Sequence, residues 1–299
     1  IGCASTSAQA WTLPYPRQIW EDKESVKVGT AFCIPTVHSI QAMCEISKSN
    51  AVSNEVREKA NIASLNAAMY YAENCFDETP DGYVFWYSTL PQHSFHVTNA
   101  TSMMAGQIQR VFSQNPQYDL LSNRADGAIL QLLKLKFETS EGFGWNYFGG
   151  KIPSNKKNKS NDLLHEAFVC HGLLEYKYFG GTHGHTFDYK DLYRSLSRFF
   201  RSDFMFDYSD VEINNSRKKH RARVLGLGHA LYVASQLEKL MVNEQIKIRL
   251  SDIIFENLEK YYIKEGQLLY RPQGINVINR TRVVSHVLLG LSKYAYTSL

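Results

Sequence analysis

The chain has 299 residues, of which 44% are hydrophobic and 21% charged, and its net charge is +4 at pH 7. These values are ordinary for a folded globular protein and exclude an intrinsically disordered one. No apolar run approaches the roughly 20 residues that a transmembrane helix needs, so no membrane span is expected. The clearest basic run, at 156–159, has no interleaved aromatic residues. We interpret it as a solvated loop, and no nucleic-acid partner is predicted.

The N-terminus resembles the end of a bacterial lipoprotein signal. It begins Ile1-Gly2-Cys3, and in such signals an aliphatic and a small residue precede the cysteine that is lipidated. This interpretation makes residues 1–20 an N-terminal extension or lipoprotein linker, with a lipid anchor at Cys3 and a periplasmic or membrane-anchored, extracytoplasmic location. The alternative is an accidental cysteine at a cropped terminus. Residues 21–299 are predicted to form a single domain.

Apolar residues at helical spacing predict nine helices separated by short loops. The predicted ranges are 32–47, 55–75, 98–112, 118–137, 163–178, 189–200, 223–240, 246–262 and 281–296. Regular alternation of such helices is typical of stacked αα-hairpins. Aromatic segments at 82–87, 142–148 and 268–272, bounded by Gly and Pro, predict extended stretches or small β-hairpins. We therefore predict an all-α fold, an (α/α) toroid of helical hairpins with short aromatic β-hairpin insertions.

No CxxC or Cys/His spacing typical of a structural zinc site is present. His183-Gly184-His185, with Asp188 nearby, could ligate a metal, but its glycines favour a flexible turn, so no metal or cofactor is predicted. Cys33 and Cys75 fall at matching heights if the first two helices form an antiparallel hairpin. The sequence leaves a bridge between them open and favours an unbridged, buried pair.

Polar side chains suited to binding or catalysis cluster at the start of every second predicted helix. They are, in chain order, His96 and Asn99 at the third helix, Asp162, His165 and Glu166 at the fifth, Arg223 and His229 at the seventh, and Arg282 at the last. If these helices form a parallel inner layer, their N-terminal ends converge on one face. Unpaired backbone N–H groups and positive dipole ends there favour anionic ligands. The pattern predicts a polar cleft at that end.

Each of these residues also has a structural interpretation that the sequence leaves open. Asn99 and Asp162 suit helix N-caps, Glu166 suits an ion pair with an arginine, and His229 suits a hydrogen-bonded core histidine. Repetition of the pattern at four helix starts favours the functional interpretation.

The segment Trp145-Asn146-Tyr147, followed by residues 161–167 and 172–176, resembles the α/α-toroid proteins of bacterial polysaccharide metabolism. That group includes glucuronyl C5-epimerase-like domains and toroidal polysaccharide lyases. The likeness is one of layout: an aromatic segment, a loop, then an acid and a histidine at the mouth of an inner helix. It implies a carbohydrate-active protein that acts on a bacterial, anionic polysaccharide in the toroid cleft, by lyase or uronate-epimerase chemistry. The paired asparagine followed by histidine that marks single-chain lyases is absent.

Lyases and epimerases of uronic acids both begin by removing the C5 proton, so the site must neutralise the sugar carboxylate and place a base nearby. The candidate catalytic residues are His96, Tyr147, His165 and Arg282. The candidate substrate-binding residues are Asn99, Trp145, Asn146, Asp162, Glu166, Arg223, His229 and Arg271. Trp145 and Tyr147 are expected to line the cleft mouth and stack against sugar rings. His165 and Arg282 are expected to face one cavity, with Arg282 binding the carboxylate and His165 moving the proton.

Two other functions stay open at this point. A glycoside hydrolase needs two carboxyl groups, and Asp162 and Glu166 are spaced to share one helix face. A non-catalytic polysaccharide-binding or export-assembly protein would use the same cleft without breaking a bond.

Overall fold

The computed structural model describes residues 30–154, 156–201, 204–208, 221–242, 246, 248–271 and 281–298. Cys3 and the predicted lipoprotein linker lie outside the described residues, as does the side chain of Arg282. The lipid anchor and the extracytoplasmic location therefore stay predictions.

Helices dominate the described part of the chain. They are α1 Cys33–Lys48, α2 Asn54–Asn74, α3 Thr98–Gln114, α4 Asp119–Lys134, α5 Leu163–Tyr178, α6 Tyr189–Ser197, α7 Val224–Leu240, α8 Leu250–Asn257 and α9 Thr281–Ser298. Each corresponds to a predicted helix, and α8 continues into the π-helical turn Leu258–Tyr262. None of the helices in the described ranges has the length and hydropathy that crossing a membrane requires. The all-α prediction is confirmed.

Short antiparallel hairpins follow the even-numbered helices in the described ranges. They are β1 Phe76–Thr79 with β2 Gly82–Phe85, β3 Phe137–Thr139 with β4 Gly142–Gly144, β5 Phe200–Arg201 with β6 Phe204–Met205, and β7 Ile263–Lys264 with β8 Gln267–Leu268. The aromatic segments predicted as extended supply β2, β4 and part of β8, whereas the hairpin β5–β6 was not predicted. Two helices and a hairpin therefore form a repeating unit, and each hairpin leads the chain toward the start of the next odd-numbered helix.

Burial separates the helices into two classes. Helices α3, α5 and α7 are buried on nearly every side, whereas α1, α2 and α4 each bury one stripe. A helix that is apolar all round belongs in a protein interior, so three of the helices predicted to be internal have the expected burial. The last, α9, differs from the prediction, because Val284 and Leu288 on one of its faces are 37% and 59% exposed.

The chain forms two compact units. The first comprises Ile1–Leu135, Phe148–Asn158 and Glu175–Thr186, and the second comprises Lys136–Tyr147, Lys159–Leu174 and Phe187–Leu299. Within the first, α1 packs on α2 and α3 packs on α4; within the second, α7 packs against α6, α8 and α9. The single domain proposed for residues 21–299 stays a prediction.

Cys33 and Cys75 lie in the core of the first unit and are buried and unbridged, as the sequence favoured. Burial raises the pKa of the Cys75 thiol to about 12, and burial, followed by the nearby Cys75, raises the pKa of Cys33 as well. Both thiols therefore stay protonated at neutral pH and act as small apolar side chains.

Two glycines bring the backbones of α7 and α9 into contact within the second unit. A Cβ atom at Gly290 would lie 2.2 Å from the carbonyl oxygen of Gly228, and one at Gly228 would lie 2.7 Å from the Cα of Val287. Either methyl group would collide with main-chain atoms. Close packing of these two helices therefore requires glycine at both positions.

We expect Gly228→Ala to lower the free energy of unfolding by about 1–3 kcal/mol, because the added methyl group overpacks a contact with backbone. Gly226→Ala is a control two residues away on the same helix, where the nearest neighbour of a new Cβ lies at 3.4 Å. This variant should be neutral or stabilising by up to about 1 kcal/mol, since alanine favours the helix. Urea unfolding followed by circular dichroism measures both, and equal unfolding energies would contradict the close approach of α7 and α9.

Candidate functional site

Residues 145–147 form an extended segment that pairs with residues 159–161, directly before α5. The N–H of Tyr147 donates to the carbonyl of Lys159 at 2.8 Å, and the N–H of Asn161 donates to the carbonyl of Trp145 at 2.9 Å. Asn146 lies opposite Ser160 in this antiparallel pairing. Because side chains alternate along an extended segment, Trp145 and Tyr147 lie on one side and the exposed Asn146 on the other.

Trp145 is fully buried, and its ring packs edge-on against Phe143 with 5.2 Å between centroids. The prediction that Trp145 lines a cleft mouth and stacks on sugar rings is therefore wrong, since no part of the ring is accessible to a ligand. The side chain of Tyr147 is partly exposed and that of Asn146 is exposed, so both stay candidates for substrate contact.

His165 and Asp162 form a hydrogen-bonded pair at the start of α5. The Oδ1 atom of Asp162 accepts from Nδ1 of His165 at 2.7 Å and from the backbone N–H of His165 at 3.1 Å. Asp162 therefore caps the helix and orients the imidazole at the same time. Because an ionised carboxylate only accepts hydrogen bonds, Nδ1 carries a hydrogen, and in the neutral imidazole the lone pair is then on Nε2.

The His165 ring is both supported and accessible. The ring of Tyr147 meets it edge to face, with 4.8 Å between centroids, and 24% of the His165 side chain is exposed. A neutral imidazole with an accessible Nε2 lone pair and a carboxylate on its other nitrogen is suited to accept a proton.

Within the second unit, side chains of alternating charge continue from the pair of Asp162 and His165. Arg223 donates to Oδ2 of Asp162, and its Nε lies 3.5 Å from Oδ2 of Asp207. Arg271 places Nη2 at 2.6 Å from the same Asp207 oxygen. Two guanidinium groups thus face two carboxylates, and the row is neutral overall. Arg223 and Arg271, both predicted to bind substrate, already have carboxylate partners in the protein.

The pKa values of the two carboxyl groups, Asp162 and Asp207, shift in opposite directions. Burial alone would raise the pKa of Asp162, but His165 and Arg223 more than offset it and hold the pKa below its usual range. Burial also raises the pKa of Asp207, and there Arg223 and Arg271 offset it only in part. Asp162 therefore stays ionised at neutral pH, and its carboxylate holds a hydrogen on Nδ1 of His165.

Asp207 was not predicted, although it connects the starts of two helices. Its carbonyl accepts from the N–H of Leu163, the first residue of α5, at 2.7 Å. Its Oδ1 accepts from the N–H of Arg223, the N-cap of α7, at 2.7 Å. It is 1% exposed. The available sequence signal was its place in the aromatic stretch that precedes the seventh helix, and no motif marks it.

Glu166 is fully buried and has its own partners. Its Oε1 accepts from the Ser195 hydroxyl at 2.6 Å and lies 3.0 Å from Nη2 of Arg198, while Oε2 accepts from the Asn161 amide at 3.1 Å. The predicted substrate contact of Glu166 is therefore wrong, and so is its use with Asp162 as the carboxyl pair of a hydrolase. The structural alternative, an ion pair with an arginine, is confirmed.

His229 belongs to a buried row of three histidines from α5, α7 and α9. Its Nε2 lies 3.1 Å from Nδ1 of His171, and its Nδ1 lies 3.3 Å from Nδ1 of His286. Phe168 packs on the His229 ring with 4.4 Å between centroids. His229 is 0% exposed, so its predicted substrate contact is wrong and its interpretation as a core histidine is confirmed.

The histidine row does not converge on a single point, because His229 uses its two nitrogens for two different partners. No group of His, Cys, Asp or Glu that would hold a metal ion occurs within the described ranges.

His96 and Asn99 lie in the first unit. Nε2 of His96 is 3.0 Å from Oδ2 of Asp77, whose Oδ1 accepts from the indole N–H of Trp86 at 2.9 Å. His96 thus forms a second histidine–carboxylate pair, but only 13% of its side chain is exposed. Asn99 is 2% exposed and is neither a helix cap nor accessible to a ligand, since Val97 is the N-cap of α3. Its predicted substrate contact is wrong.

The side chain of Arg282 lies outside the described residues. Its sharing of a cavity with His165 therefore stays a prediction.

No protein-family model matches the sequence, and no curated protein resembles it detectably in sequence. Solved structures do match. A polysaccharide lyase superposes with a TM-score of 0.57 at 12% identity, covering 88% of this chain and 74% of that chain. A glycosyl hydrolase of family 88 from Bacteroides vulgatus superposes with a TM-score of 0.61 at 8% identity, covering 88% and 74%. A sugar epimerase from a ruminal bacterium gives 0.57 at 11% identity, covering 90% and 75%.

These structures are α/α-toroid carbohydrate-active proteins. The chain shares their fold, which confirms the predicted fold class and the resemblance. At these identities the similarity establishes the fold alone.

We expect Asp207→Ala to lower the free energy of unfolding by about 1–3 kcal/mol, because it removes the acceptor of the Arg223 N–H and the carboxylate partner of Arg271. Glu141→Ala is the control. Glu141 pairs with Arg201 at 3.6 Å with 47% of its side chain exposed, so its loss should cost less than about 1 kcal/mol. Chemical denaturation measures both, and similar losses for the two variants would contradict the connecting role of Asp207.

The ionised Asp162 should stabilise the folded protein less as the pH is lowered. Its pKa in the folded protein lies below its unfolded value, so the stabilisation is present above the unfolded pKa and is lost as the pH falls through the folded one. The difference in unfolding energy between the wild type and Asp162→Asn should therefore persist from neutral pH down to about pH 5 and shrink below about pH 4. A difference that disappears near neutral pH would show that Asp162 is not held ionised.

Proposed function

We propose that this protein is an enzyme that acts on an anionic polysaccharide by moving the proton at the carbon beside a carboxyl group, as lyases and uronate epimerases do. The observation that carries this proposal is the pairing of a partly exposed His165 with an ionised, buried Asp162 at the start of α5. Its fold similarity to a polysaccharide lyase and to a sugar epimerase supports it.

In this proposal Nε2 of His165 takes the C5 proton. The imidazolium that forms is stabilised by the Asp162 carboxylate on Nδ1, and the electron pair of the broken C–H bond moves into the sugar carboxylate as an enolate. The Tyr147 hydroxyl is the second proton-transfer group. In a lyase it protonates the departing C4 oxygen while the C4–C5 double bond forms. Because the Tyr147 ring touches that of His165, an epimerase would need a different group to return a proton to C5 from the opposite face.

The enolate needs positive charge, and Arg223 and Arg271 are already balanced by Asp162 and Asp207. We therefore assign the sugar carboxylate to Arg282, as the sequence predicts. Arg282→Lys should then damage activity almost as much as Arg282→Ala, because an ammonium group cannot make a two-pronged contact to a carboxylate. Full activity of Arg282→Lys would contradict this assignment.

Hydrolysis is the less favoured chemistry, because Glu166 is sealed among Arg198, Ser195 and Asn161. That leaves Asp162 without a second carboxyl group of the predicted pair. The other alternative is a protein that binds polysaccharide without breaking a bond, and the following assay distinguishes it from an enzyme.

The assay incubates the protein with polygalacturonate, alginate, hyaluronan and heparosan in deuterated water. A lyase generates ultraviolet absorbance from the new double bond, and an epimerase incorporates deuterium at C5, which NMR detects. New reducing ends without absorbance or deuterium would indicate a hydrolase and contradict the proposal. The absence of all three signals would indicate a binding protein and contradict it equally.

We expect His165→Ala to abolish turnover while substrate affinity stays within about tenfold, or about 1.4 kcal/mol, because the imidazole acts on the proton rather than as an anchor. His185→Ala replaces an exposed histidine outside this site and should keep wild-type kcat and KM. Tyr147→Phe keeps the ring against His165 and removes the hydroxyl, so it should lower kcat with little change in KM. A fully active His165→Ala would end the proposal.

A further inference from the structure

A groove of about 500 Å³ runs along the C-terminal half of α2, in the first unit. Its walls include Asn66, Met69, Tyr70, Glu73 and Asn74 of α2 and Tyr118, the N-cap of α4. The α2 residues recur at spacings of three and four, so they share one face of the helix. We call this surface the α2 groove. It contains none of the residues discussed for catalysis.

Glu73 occupies an unfavourable place for a carboxylate. It is the penultimate residue of α2, where the helix dipole favours cations, and the last turn of α2 contains no basic residue. Glu73 is exposed and makes no ion pair with any residue that the structure describes. A carboxylate that opposes the helix dipole and lacks a protein partner is available to a ligand that donates hydrogen bonds.

The other walls of the α2 groove define the chemistry of such a ligand. Tyr70 and Tyr118 are partly exposed, and phenol rings pack well on the apolar faces of sugar rings. Burial, followed by the neighbouring Cys75, raises the pKa of Tyr70, so its hydroxyl stays protonated. Asn66 and Asn74 supply amide donors and acceptors. Among the residues that the structure describes, no lysine, arginine or histidine lines the groove, so none of them would offset Glu73 beside an anionic ligand.

We propose that the α2 groove is a second carbohydrate site, which binds uncharged sugar units of a glycan. Tyr70 and Tyr118 stack on the sugar rings, and Glu73 accepts hydrogen bonds from their hydroxyl groups. The proposed carbohydrate site does not use His165 and goes beyond the proposed enzymatic function. An experiment that contradicts one of the two proposals therefore leaves the other intact.

Native gel electrophoresis through gels that contain glucomannan, xyloglucan, arabinoxylan or dextran tests the site. At least one of these neutral polysaccharides should retard the wild-type chain, and Tyr70→Ala or Tyr118→Ala should weaken that binding at least tenfold. Tyr178→Ala is the matched control, because Tyr178 is 58% exposed and lies outside the groove. The proposal is overturned if no neutral polysaccharide retards the wild type, or if Tyr178→Ala weakens binding as much as the groove variants.

Glu73→Gln separates ligand binding from a structural role. Removing the charge from the end of α2 should leave Tm unchanged or raise it, while affinity for the retarding polysaccharide falls several-fold. Glu58→Gln, nearer the start of the same helix, should keep wild-type affinity. Unchanged affinity in Glu73→Gln, or a loss of affinity accompanied by a lower Tm, would overturn the role of Glu73 as a ligand contact.

Discussion

The polar cluster of the second unit depends on the ionic contacts of Asp207. A carboxylate that is almost fully removed from water is costly unless charged and hydrogen-bonded partners surround it. Asp207 has such partners in Arg223 and Arg271, and it also receives the N–H groups that begin α5 and α7. Asp207 therefore fixes the start of α5 through its main-chain carbonyl, and through its carboxylate it fixes the start of α7 and the side chain of Arg223. That arginine holds Asp162, and Asp162 holds the imidazole of His165.

The repeating unit of two helices and a hairpin explains why such contacts form at helix starts. Along a helix that is buried on nearly every side, polar side chains are costly unless they find hydrogen-bond partners. The histidines of α5, α7 and α9 satisfy this condition by bonding to one another. Other polar groups are placed at helix starts, where backbone N–H groups need acceptors. The chain arrives there from a hairpin, which is how Tyr147 comes to lie against His165.

Sequence periodicity predicted the helices because each helix buries a stripe or a whole surface of apolar residues, and this pattern is local in the sequence. The helix starts could be predicted for the same reason. The pair of Asp162 and His165 is also local, because its members are three residues apart in the sequence. For Glu166 and His229 the sequence offered a structural and a functional interpretation and did not decide between them, since their partners Arg198 and His171 lie tens of residues away in the sequence. Trp145 was misjudged because the side of an extended segment that faces the core depends on tertiary packing.

Asp162 holds a hydrogen on Nδ1 of His165, which leaves Nε2 to exchange a proton with a substrate. The most direct measurement is nitrogen NMR of the protein labelled at its histidine rings, with the His165 signals assigned by comparison with His165→Gln. At mildly alkaline pH we expect that Nδ1 of His165 carries the hydrogen and that Asp162→Asn disturbs this preference. A His165 ring that carries its hydrogen on Nε2 in the wild type would contradict the account, because the lone pair would then point at Asp162 instead of at a substrate.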